Sequence, residues 1–495
     1  MKVTIPSLDQ NGIQLAAAAY ACGIVCILPL YSENGLIQLV SAKWHMFFFS
    51  TCAALVIMCV LALYHRFYQR KPLHRFVFKP SRISLTLVFM LLTYTVSTLF
   101  SHMPERSFWG LDSRMNGWLM FALCTACYFL ICTLISSNQI LLICNAMIIG
   151  ASLSCLVAWL NLFCIDPLGY YSYIPQHARH QFISTVGNIN FFGALLCLAA
   201  PYALYQALFS SSHRFWYQAS AVFLLSSFLV ANSDGPWLAL ACGTCVILLN
   251  QKLGTLQAKR LFFVGGLCCS VWLFAGILIR IVPIYAPMRT ISSVLCHPLV
   301  ACCGILGCAG MWLLFDKTKL SARLFFRSIF AGGIAIALLL LAVCNLWNVS
   351  LGPLNGLLQF GPQWGSNRGY VWGILVDRYY YTFNYREQLF GIGPDLVTHL
   401  LNPVYSQKII AMNGTAFDSA HNEFLQMLIC CGLFGLFFWL LFIFSHIKHS
   451  LYSTPYLTAS LVAYCVQSFF SIHFVGVFPI FFALCALTAV KKSKK

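Results

Sequence analysis

His421 lies directly before a long apolar run, in the polar stretch from Asp418 to Glu423. Ser419 or Asp418 is expected to cap the helix through that run, since both types accept hydrogen bonds from free helical amides. His421 then lies in the first helical turn, where the positive end of the helix dipole favours a neutral imidazole. A neutral imidazole accepts protons, so His421 is a candidate general base. The alternative is a surface histidine that only hydrates the helix end.

Three arginines precede this histidine within the same polar segment: Arg368, Arg378 and Arg386. A guanidinium fork matches phosphate oxygens with two parallel hydrogen bonds, so these side chains could bind a diphosphate. The alternative is pairing with three carboxylates of the segment, namely Asp377, Glu387 and Asp395. The spacing of the residues does not decide between these alternatives.

Two further polar segments lie between apolar runs. Residues 101–117 contain Arg114, and residues 164–190 end with Asn188 and Asn190. An asparagine at the start of an apolar run caps a helix, which is the alternative that the local sequence favours. The same side chains could hydrogen-bond a sugar, so Asn188 and Asn190 are candidate substrate-binding residues, as is Arg114.

The elements that position these residues are predicted to be membrane helices. The 495 residues are 60% hydrophobic and only 8% charged, with a mean hydropathy of +0.80, which excludes a soluble enzyme and a disordered chain. A span needs about 20 apolar residues. Fourteen spans are predicted: 13–31, 46–64, 83–100, 118–135, 140–163, 191–209, 218–232, 237–250, 261–282, 294–315, 328–346, 423–446, 456–473 and 474–490. The seventh and eighth could instead form a re-entrant pair around residues 233–236, so the prediction is 12–14 helices.

The charge distribution predicts the orientation of these spans. With the N-terminus inside, about two-thirds of the 30 Lys and Arg residues fall on the inner side, and almost all of the 12 acidic residues fall on the outer side. The whole net charge of +18 is then a topology signal, and nucleic acid is not expected as a partner. Both termini are predicted to be cytoplasmic, and the first apolar run is read as a retained span rather than a cleaved signal peptide.

The chain is predicted to have four parts. Residues 1–100 hold the first helices and a basic cytoplasmic loop at 65–82, and residues 101–346 form a central bundle. Residues 347–422 form one large outer loop, rich in Trp and Tyr, with a surface helix expected near 366–378 and a tight turn at 391–395. Residues 423–495 hold the last helices and a basic tail. A connection as long as 347–422 is usually functional or disordered, and its aromatic content argues against disorder.

Motifs for metal or cofactor chemistry are not found in the sequence. It contains neither a P-loop nor His-Glu-x-x-His nor Asp-x-Asp, so neither a metal nor a cofactor is expected. Nearly all 24 cysteines fall inside predicted spans, where small, weakly polar side chains pack helix against helix. The span interiors are almost free of charge, which is unusual for an ion-coupled transporter.

Several segments together resemble the O-antigen ligase and polymerase superfamily, which includes bacterial protein O-oligosaccharyltransferases. They are Arg106-Ser-Phe-Trp-Gly with Arg114-Met-Asn-Gly-Trp, Gly187-Asn-Ile-Asn-Phe-Phe-Gly-Ala, Ser233-Asp-Gly-Pro-Trp, Arg368 with Leu389-Phe-Gly-Ile-Gly-Pro, and His421-Asn-Glu-Phe-Leu-Gln with Gly432-Leu-Phe-Gly435. Their order, and the large loop before the His-Asn helix, carry the resemblance.

The resemblance implies a multi-span glycosyltransferase of the GT-C-like type in the bacterial inner membrane. Its donor would be a glycan on a polyprenyl diphosphate, and its acceptor a lipid, a glycan or a protein hydroxyl on the periplasmic side. Transfer would be independent of metal and would invert the anomeric carbon. The family's catalytic histidine corresponds to His421, and its loop arginine to Arg368.

One position departs from the family pattern. Where the family commonly has Ser-Arg-Gly, this chain has Asp234 between Ser233 and Gly235. Either Arg280 or Arg289 would then replace the missing arginine, or the donor differs, or the activity is altered. Ligase and polymerase remain alternatives within the family. A transporter or flippase for lipid-linked saccharides is the alternative of another class, and a scaffolding membrane protein is a third.

Overall fold

The chain folds into helices throughout the part that the structure describes. The structure is a computed structural model and describes residues 10–36, 38–67, 81–251, 253–318, 320–352, 355–413 and 417–490. Most of the predicted basic loop, residues 68–80, and the basic tail, residues 491–495, lie outside the described residues. Within these ranges there is no β-strand, so the all-α prediction is confirmed.

Twenty-one α-helices are found in the described ranges. They are α1 (Gln10–Cys22), α2 (Leu39–Phe67), α3 (Arg82–Leu99), α4 (Pro104–Trp109), α5 (Trp118–Leu134), α6 (Ile140–Leu162), α7 (Ile189–Phe209), α8 (Arg214–Ser226), α9 (Phe228–Ala231), α10 (Asp234–Asn250), α11 (Thr255–Ile281), α12 (Thr290–Leu295), α13 (Pro298–Lys317), α14 (Ala322–Leu346), α15 (Asn355–Leu358), α16 (Trp364–Tyr381), α17 (Tyr385–Phe390), α18 (Val397–Asn413), α19 (Glu423–Ser453), α20 (Pro455–Ser468) and α21 (Phe478–Ala489).

Every predicted span overlaps helical structure, although the first and seventh spans each cover two helical segments. Among the described residues, eight helices are long and apolar enough to cross a membrane, within α2, α3, α6, α7, α11, α13, α14 and α19. Four further apolar helices are shorter, at Gly12–Ile27, Trp118–Leu134, Asp234–Asn250 and Phe478–Ala489. The protein is therefore a polytopic membrane protein. The predicted seventh span is divided between α8 and α9, and it meets α10 at a left-handed turn through Asn232.

The core of the bundle lies around α7, which is buried along almost its whole length. Helix α7 packs against α8, α10 and α20. Small side chains allow this close approach: an added Cβ at Gly193 would lie 2.3 Å from Pro236 Cγ, and one at Gly243 would lie 2.9 Å from Ala459 O. At the periphery, α14 is almost entirely exposed along its apolar length. In a membrane protein such exposed apolar surface faces lipid.

Helix α19 is broken at Gly432, and the break receives another segment of the chain. Gly432 has φ 69° and ψ −170°, outside the helical region. The turn after α17 fills the gap, because the amide of Ile392 donates to Ile429 O at 3.2 Å and that of Gly393 donates to Cys430 O at 3.1 Å. Irregular backbone inside a membrane bundle is tolerated when protein satisfies its polar groups in this way. The predicted tight turn at 391–395 is confirmed.

The polar segment between α14 and α19 folds into four helices, α15 to α18. Helix α16 covers the predicted surface helix, but its first turn is irregular, because Gly365, Ser366 and Asn367 have φ between 59° and 65°. Regular helix follows from Arg368. Helices α16 and α18 both contact α19, which brings the arginine of α16 towards the histidine that precedes α19.

Candidate functional site

The loop before α19, residues 417–422, is called the histidine loop below. The cap of α19 is Asn422, whose Oδ1 accepts hydrogen bonds from the amides of Phe424 at 3.0 Å and Leu425 at 3.1 Å. The prediction that Ser419 or Asp418 caps this helix is wrong. His421 consequently lies just outside the helix, with a left-handed φ of 48°, and not in its first turn. A single carboxamide that reaches two free amides satisfies the helix end better than the residues before it.

Three neighbouring helices hold the histidine loop in place. The amide of Ala420 donates to Gln426 Oε1 of α19 at 2.9 Å, and its carbonyl accepts from Trp372 Nε1 of α16 at 2.8 Å. The hydroxyl of Thr398, on α18, donates to the carbonyl of Asp418 at 2.8 Å. The loop backbone directly before the histidine is thus held by hydrogen bonds to three helices.

The imidazole of His421 lies between an aromatic ring and a carboxylate. The ring of Phe417 meets it edge to face, with centroids 5.1 Å apart. His421 Nε2 is 4.0 Å from Asp418 Oδ1, and 27% of the histidine side chain is exposed. The ring is therefore accessible to a small group and held beside one negative charge.

Asp418 is paired with Arg114 through both of its oxygens. Arg114 Nε donates to Asp418 Oδ2 at 2.8 Å, and the terminal nitrogen Nη2 donates to Oδ1. The two residues are 304 positions apart, and only 12% of the Arg114 side chain is exposed. Although burial raises the pKa of Asp418, the Arg114 guanidinium holds it below its ordinary value. Arg114, predicted to bind substrate, is thus engaged by a carboxylate of the histidine loop.

Burial and nearby positive charge favour the neutral form of the His421 imidazole. Burial and the nearby charges of Arg368 and Arg114 lower the pKa of His421 to about 3, against the opposing effect of Asp418. A neutral imidazole was predicted from the helix dipole, but desolvation and two arginines are the causes that the structure gives. Helix α16 contacts the histidine loop through Trp372, and the charge of Arg368 acts on the imidazole of His421.

The positive charge of Arg289 also acts on Arg368. Burial, and then the positive charge of Arg289, lower the pKa of Arg368 to about 10. Within the described residues, none of the ion pairs involves Arg368 or Arg289. Like charges that act on each other in this way form a place that an anion would stabilise.

Arg289 lies in the connection between α11 and α12. Asn232 and Asp234 hold this connection in place, and Asp234 is the position where the family pattern has an arginine. The amide of Arg289 donates to Asn232 Oδ1 at 2.7 Å, and the amide of Ile291 donates to Asp234 Oδ1 at 3.3 Å. The side chain of Arg289 is exposed. Asp234 therefore holds the start of α12, directly after the arginine, instead of supplying a positive charge itself.

The other predicted arginines lie apart from this cluster. Arg280 donates to Gly276 O of its own helix at 2.8 Å. The guanidinium of Arg378 lies 5.6 Å from the Tyr405 ring, and that of Arg386 lies 5.4 Å from the Phe100 ring. Arg378 is ten residues beyond Arg368 on α16, a separation of about 15 Å along a helix.

The two asparagines lie at the start of α7. Asn188 Oδ1 accepts from the amide of Asn190 at 2.8 Å, so the predicted capping role of Asn188 is confirmed. Asn190 Oδ1 accepts from the hydroxyl of Ser233 at 3.1 Å, and its carbonyl accepts from Gln467 at 3.2 Å. Sugar binding by either residue stays a prediction.

A buried carboxylate beneath the cluster was treated in the sequence only as an arginine partner. Asp395, in the turn that enters the break of α19, is 4% exposed and accepts from the amide of Leu111 at 2.8 Å. Burial raises the pKa of Asp395 to about 6, while that amide and the charge of Arg114 oppose the rise. The charge of Arg114 therefore acts on two acidic groups, its partner Asp418 and the buried Asp395. The sequence gives no signal for this arrangement, because its members are far apart in the chain.

In the part of the chain that the structure describes, no group of three or more His, Cys, Asp or Glu side chains is arranged to hold a metal ion. The charged groups brought together are instead an imidazole, a carboxylate and three guanidiniums: His421, Asp418, Arg114, Arg368 and Arg289.

The fold and this cluster define a polytopic membrane protein with a cationic, histidine-containing site at one end of its helix bundle. Residues 297–440 match the family model of O-antigen ligase, which confirms the resemblance of this chain to the O-antigen ligase-like superfamily. The match contains His421, Asp418 and Arg368, whereas Arg114 and Arg289 lie before it. No curated protein matches the chain.

Proposed function

We propose that this protein transfers a glycan from a polyprenyl-diphosphate donor to a hydroxyl group of an acceptor. The observation that carries the proposal is the convergence of a neutral imidazole, His421, with the cationic side chain of Arg368, which takes part in none of the ion pairs among the described residues. The region of the O-antigen ligase match contains both residues, and that family consists of enzymes of the ligase or glycosyltransferase type.

Arg368 is assigned to the diphosphate of the donor. Breaking the bond between the anomeric carbon and the diphosphate leaves negative charge on the phosphate oxygens. A fixed guanidinium in a largely desolvated site stabilises that charge more strongly than water does. Arg289 is assigned to the same anion, because its charge already acts on Arg368. Arg378, Arg386 and Arg280 are weaker candidates, since their guanidiniums are directed elsewhere.

His421 is assigned as the base for the acceptor hydroxyl. The hydroxyl oxygen attacks the anomeric carbon from the face opposite the diphosphate, its proton passes to the imidazole, and the configuration at that carbon is inverted. A base with a pKa of about 3 is weak, but that value belongs to the site without an anion. A bound diphosphate compensates the charge of Arg368, so the imidazole becomes more basic when the donor is present. Asp418 stabilises the imidazolium that then forms.

The reaction is placed on the periplasmic side of a bacterial inner membrane, with both termini in the cytoplasm. The positive-inside distribution of Lys and Arg supports this orientation. Membrane lipids and the lipid part of the donor would contact the exposed apolar helices. Reporter fusions after residues 350 and 410 test the orientation, and activity of a cytoplasmic reporter at either position would contradict it.

The direct cellular test replaces His421 by alanine and examines the glycan on mature acceptor molecules. We expect His421→Ala to abolish the transferred glycan while the protein is still made, and Arg368→Gln to reduce it strongly. His399→Ala is the matched control, because His399 is an exposed histidine of α18 in the same segment. Undiminished product from a stably expressed His421→Ala variant would contradict the proposal and favour a flippase, which needs no base.

The chemical nature of the acceptor separates the members of the superfamily. A glycan on lipid A core would indicate a ligase of lipopolysaccharide biosynthesis, and a lengthened polysaccharide would indicate a polymerase. A glycan on a protein hydroxyl would indicate a protein O-oligosaccharyltransferase. We propose the ligase, because the matching family model is that of O-antigen ligase.

A further inference from the structure

A groove with a polar part and an apolar part lies along helix α8. The polar part is a cavity of about 470 Å³, and it is lined by Ser211, His213, Arg214, Phe215 and Trp216. The apolar part is a cavity of about 370 Å³ between helices α6 and α8. Trp216 lines both cavities, so they form one continuous depression, which is called the α8 groove below.

Helix α7 separates the α8 groove from the candidate functional site. Asn190, at the start of α7, accepts from Ser233, which directly follows the Asn232 that holds Arg289. The 21 residues of α7 extend for about 30 Å, and residues 210–213 follow its other end. The α8 groove is therefore a separate site, on the side that the proposed orientation places in the cytoplasm.

The apolar part of the α8 groove opens towards lipid. Trp216, Ala219 and Phe223 are spaced as i, i+3 and i+7, so they lie on one face of α8, which extends for about 10 Å between the first and the last of them. On the α6 side of the cavity, the exposed side chains are those of Ile149 and Leu153. Exposed apolar side chains of a membrane span face lipid, and a depression between two such helices receives part of an acyl chain.

The apolar part alone selects no particular lipid. The acyl chains of a bilayer are as apolar as these side chains, so the transfer of one chain into the cavity gains little from the hydrophobic effect. All phospholipids carry such chains. A preference among lipids therefore has to come from the headgroup and from the polar part of the groove.

The polar part carries positive charge. The side chain of Arg214 is exposed, and its guanidinium lies 5.5 Å from the ring of Phe215. A second guanidinium holds the connection before it, because Arg260 Nη1 donates to Leu208 O at 2.7 Å and to Ser210 O at 3.1 Å. Neither arginine takes part in an ion pair within the ranges that the structure describes. The ligand that complements this part of the groove is an anion.

Aromatic side chains lie between this charge and the apolar cavity. Phe215 and Trp216 directly follow Arg214 in the chain, and both are exposed. An indole ring prefers the boundary between membrane and water, because one part of it is apolar and its N–H is polar. The order along α8 is thus a cation, an indole and an apolar cavity, which matches the order of phosphate, glycerol and acyl chain in a phospholipid.

We propose that the α8 groove binds an anionic phospholipid, whose phosphate contacts Arg214 and whose acyl chain lies in the cavity between α6 and α8. Phosphatidylglycerol brings one net negative charge. In phosphatidylcholine the choline ammonium cancels the phosphate charge, so the attraction to the arginines is weaker. One basic residue near the membrane surface favours the anionic lipid by about fivefold. This binding is independent of glycan transfer and of the residues assigned to it.

The experiment places the purified full-length protein in lipid nanodiscs that contain a trace of a phospholipid with a photoreactive diazirine in its acyl chain. One sample contains photoreactive phosphatidylglycerol, and the other contains phosphatidylcholine with the same chains. Labelled peptides that cover residues 148–153 and 216–223 report on the α8 groove. Residues 331–339 of α14 are all exposed and report on nonspecific lipid contact. We expect about fivefold more labelling of the groove by phosphatidylglycerol, and equal labelling of α14 by the two lipids.

Three variants test the parts of the groove. Arg214→Gln changes an exposed side chain and should lower the labelling ratio of the two lipids to near one, whereas Arg323→Gln, at an exposed arginine of α14, is the matched control and should leave it unchanged. Ala219→Trp fills the apolar cavity and should reduce labelling by both lipids. A wild-type ratio near one, a ratio that Arg214→Gln leaves unchanged, or full labelling of Ala219→Trp would overturn the proposal.

Discussion

Replacing Arg114 should make the candidate base sensitive to pH. In the native protein the two oxygens of Asp418 are engaged by Arg114, and His421 is 4.0 Å from the same carboxylate. Arg114→Gln removes a positive charge that lowers the histidine pKa, and it frees the carboxylate to attract an imidazolium. Both changes raise the pKa of His421.

The size of the shift follows from the separation of the charges. At 4.0 Å, an effective dielectric constant of about 20 gives an attraction of ~4 kcal/mol as an upper bound. The Asp418 side chain is 38% exposed, so solvent screening leaves about half of this, or about 1.5 pKa units. From about 3 in the wild type, the histidine pKa should therefore rise to about 4.5 in the variant.

The assay is the pH dependence of kcat/KM for glycan transfer by the purified protein. A raised pKa means that the neutral base is lost as the pH falls, so the variant should lose activity below about pH 5 while the wild type stays active. At pH 4 the variant should be about fourfold less active than at its plateau. Arg114→Lys keeps the charge and should shift the acid limb less. Arg106→Gln, at an exposed arginine of the same segment, should not shift it. Identical acid limbs for Arg114→Gln and the wild type would refute this electrostatic account.

Three further predictions concern the scaffold that holds the site, and each is measured by thermal unfolding in detergent. Gly391→Ala should destabilise the protein by ~3 kcal/mol, since the added Cβ would lie 2.2 Å from backbone atoms of Cys430. An unchanged unfolding temperature would contradict the packing of this turn into the break of α19. Asn422→Ala should cost about 1 kcal/mol as the cap of α19 is lost, whereas Asn422→Asp should retain most of that stability. Lys43→Met should lower the free energy of unfolding by about 3 kcal/mol or more, because the buried ammonium donates to three backbone carbonyls near the end of the first helix. An unchanged unfolding temperature would show that water replaces the lysine.

The helices could be predicted from the sequence because each is encoded locally. Apolar runs of spanning length coincide with α2, α6, α11 and α19, and the predicted junction of the last two spans lies in the connection between α20 and α21. The aromatic segment between α14 and α19 was correctly expected to fold. The resemblance predicted that Arg368 and His421 act in the same site, whereas composition alone gives no indication of it.

Long-range geometry could not be predicted in the same way. Arg114 and Asp418 are 304 residues apart, and only the packing of the helices that flank them brings the two side chains into contact. The cap of α19 was misassigned because three nearby residues, Asp418, Ser419 and Asn422, are of types that could fill that role, and backbone direction decides among them. The alternatives Arg280 and Arg289 were equal in the sequence. In the structure Arg289 lies near Arg368, while Arg280 bonds to its own helix.

The most direct test of the central claim uses purified protein in detergent with a polyprenyl-diphosphate-linked glycan and an acceptor. Detergent leaves no second compartment, so a transporter can form no product there, whereas a transferase can. We predict an acceptor-linked glycan of inverted anomeric configuration with the wild type and with His399→Ala, and none with His421→Ala. Absence of product with the wild-type protein, or equal product with His421→Ala, would contradict the assignment of His421 as the catalytic base.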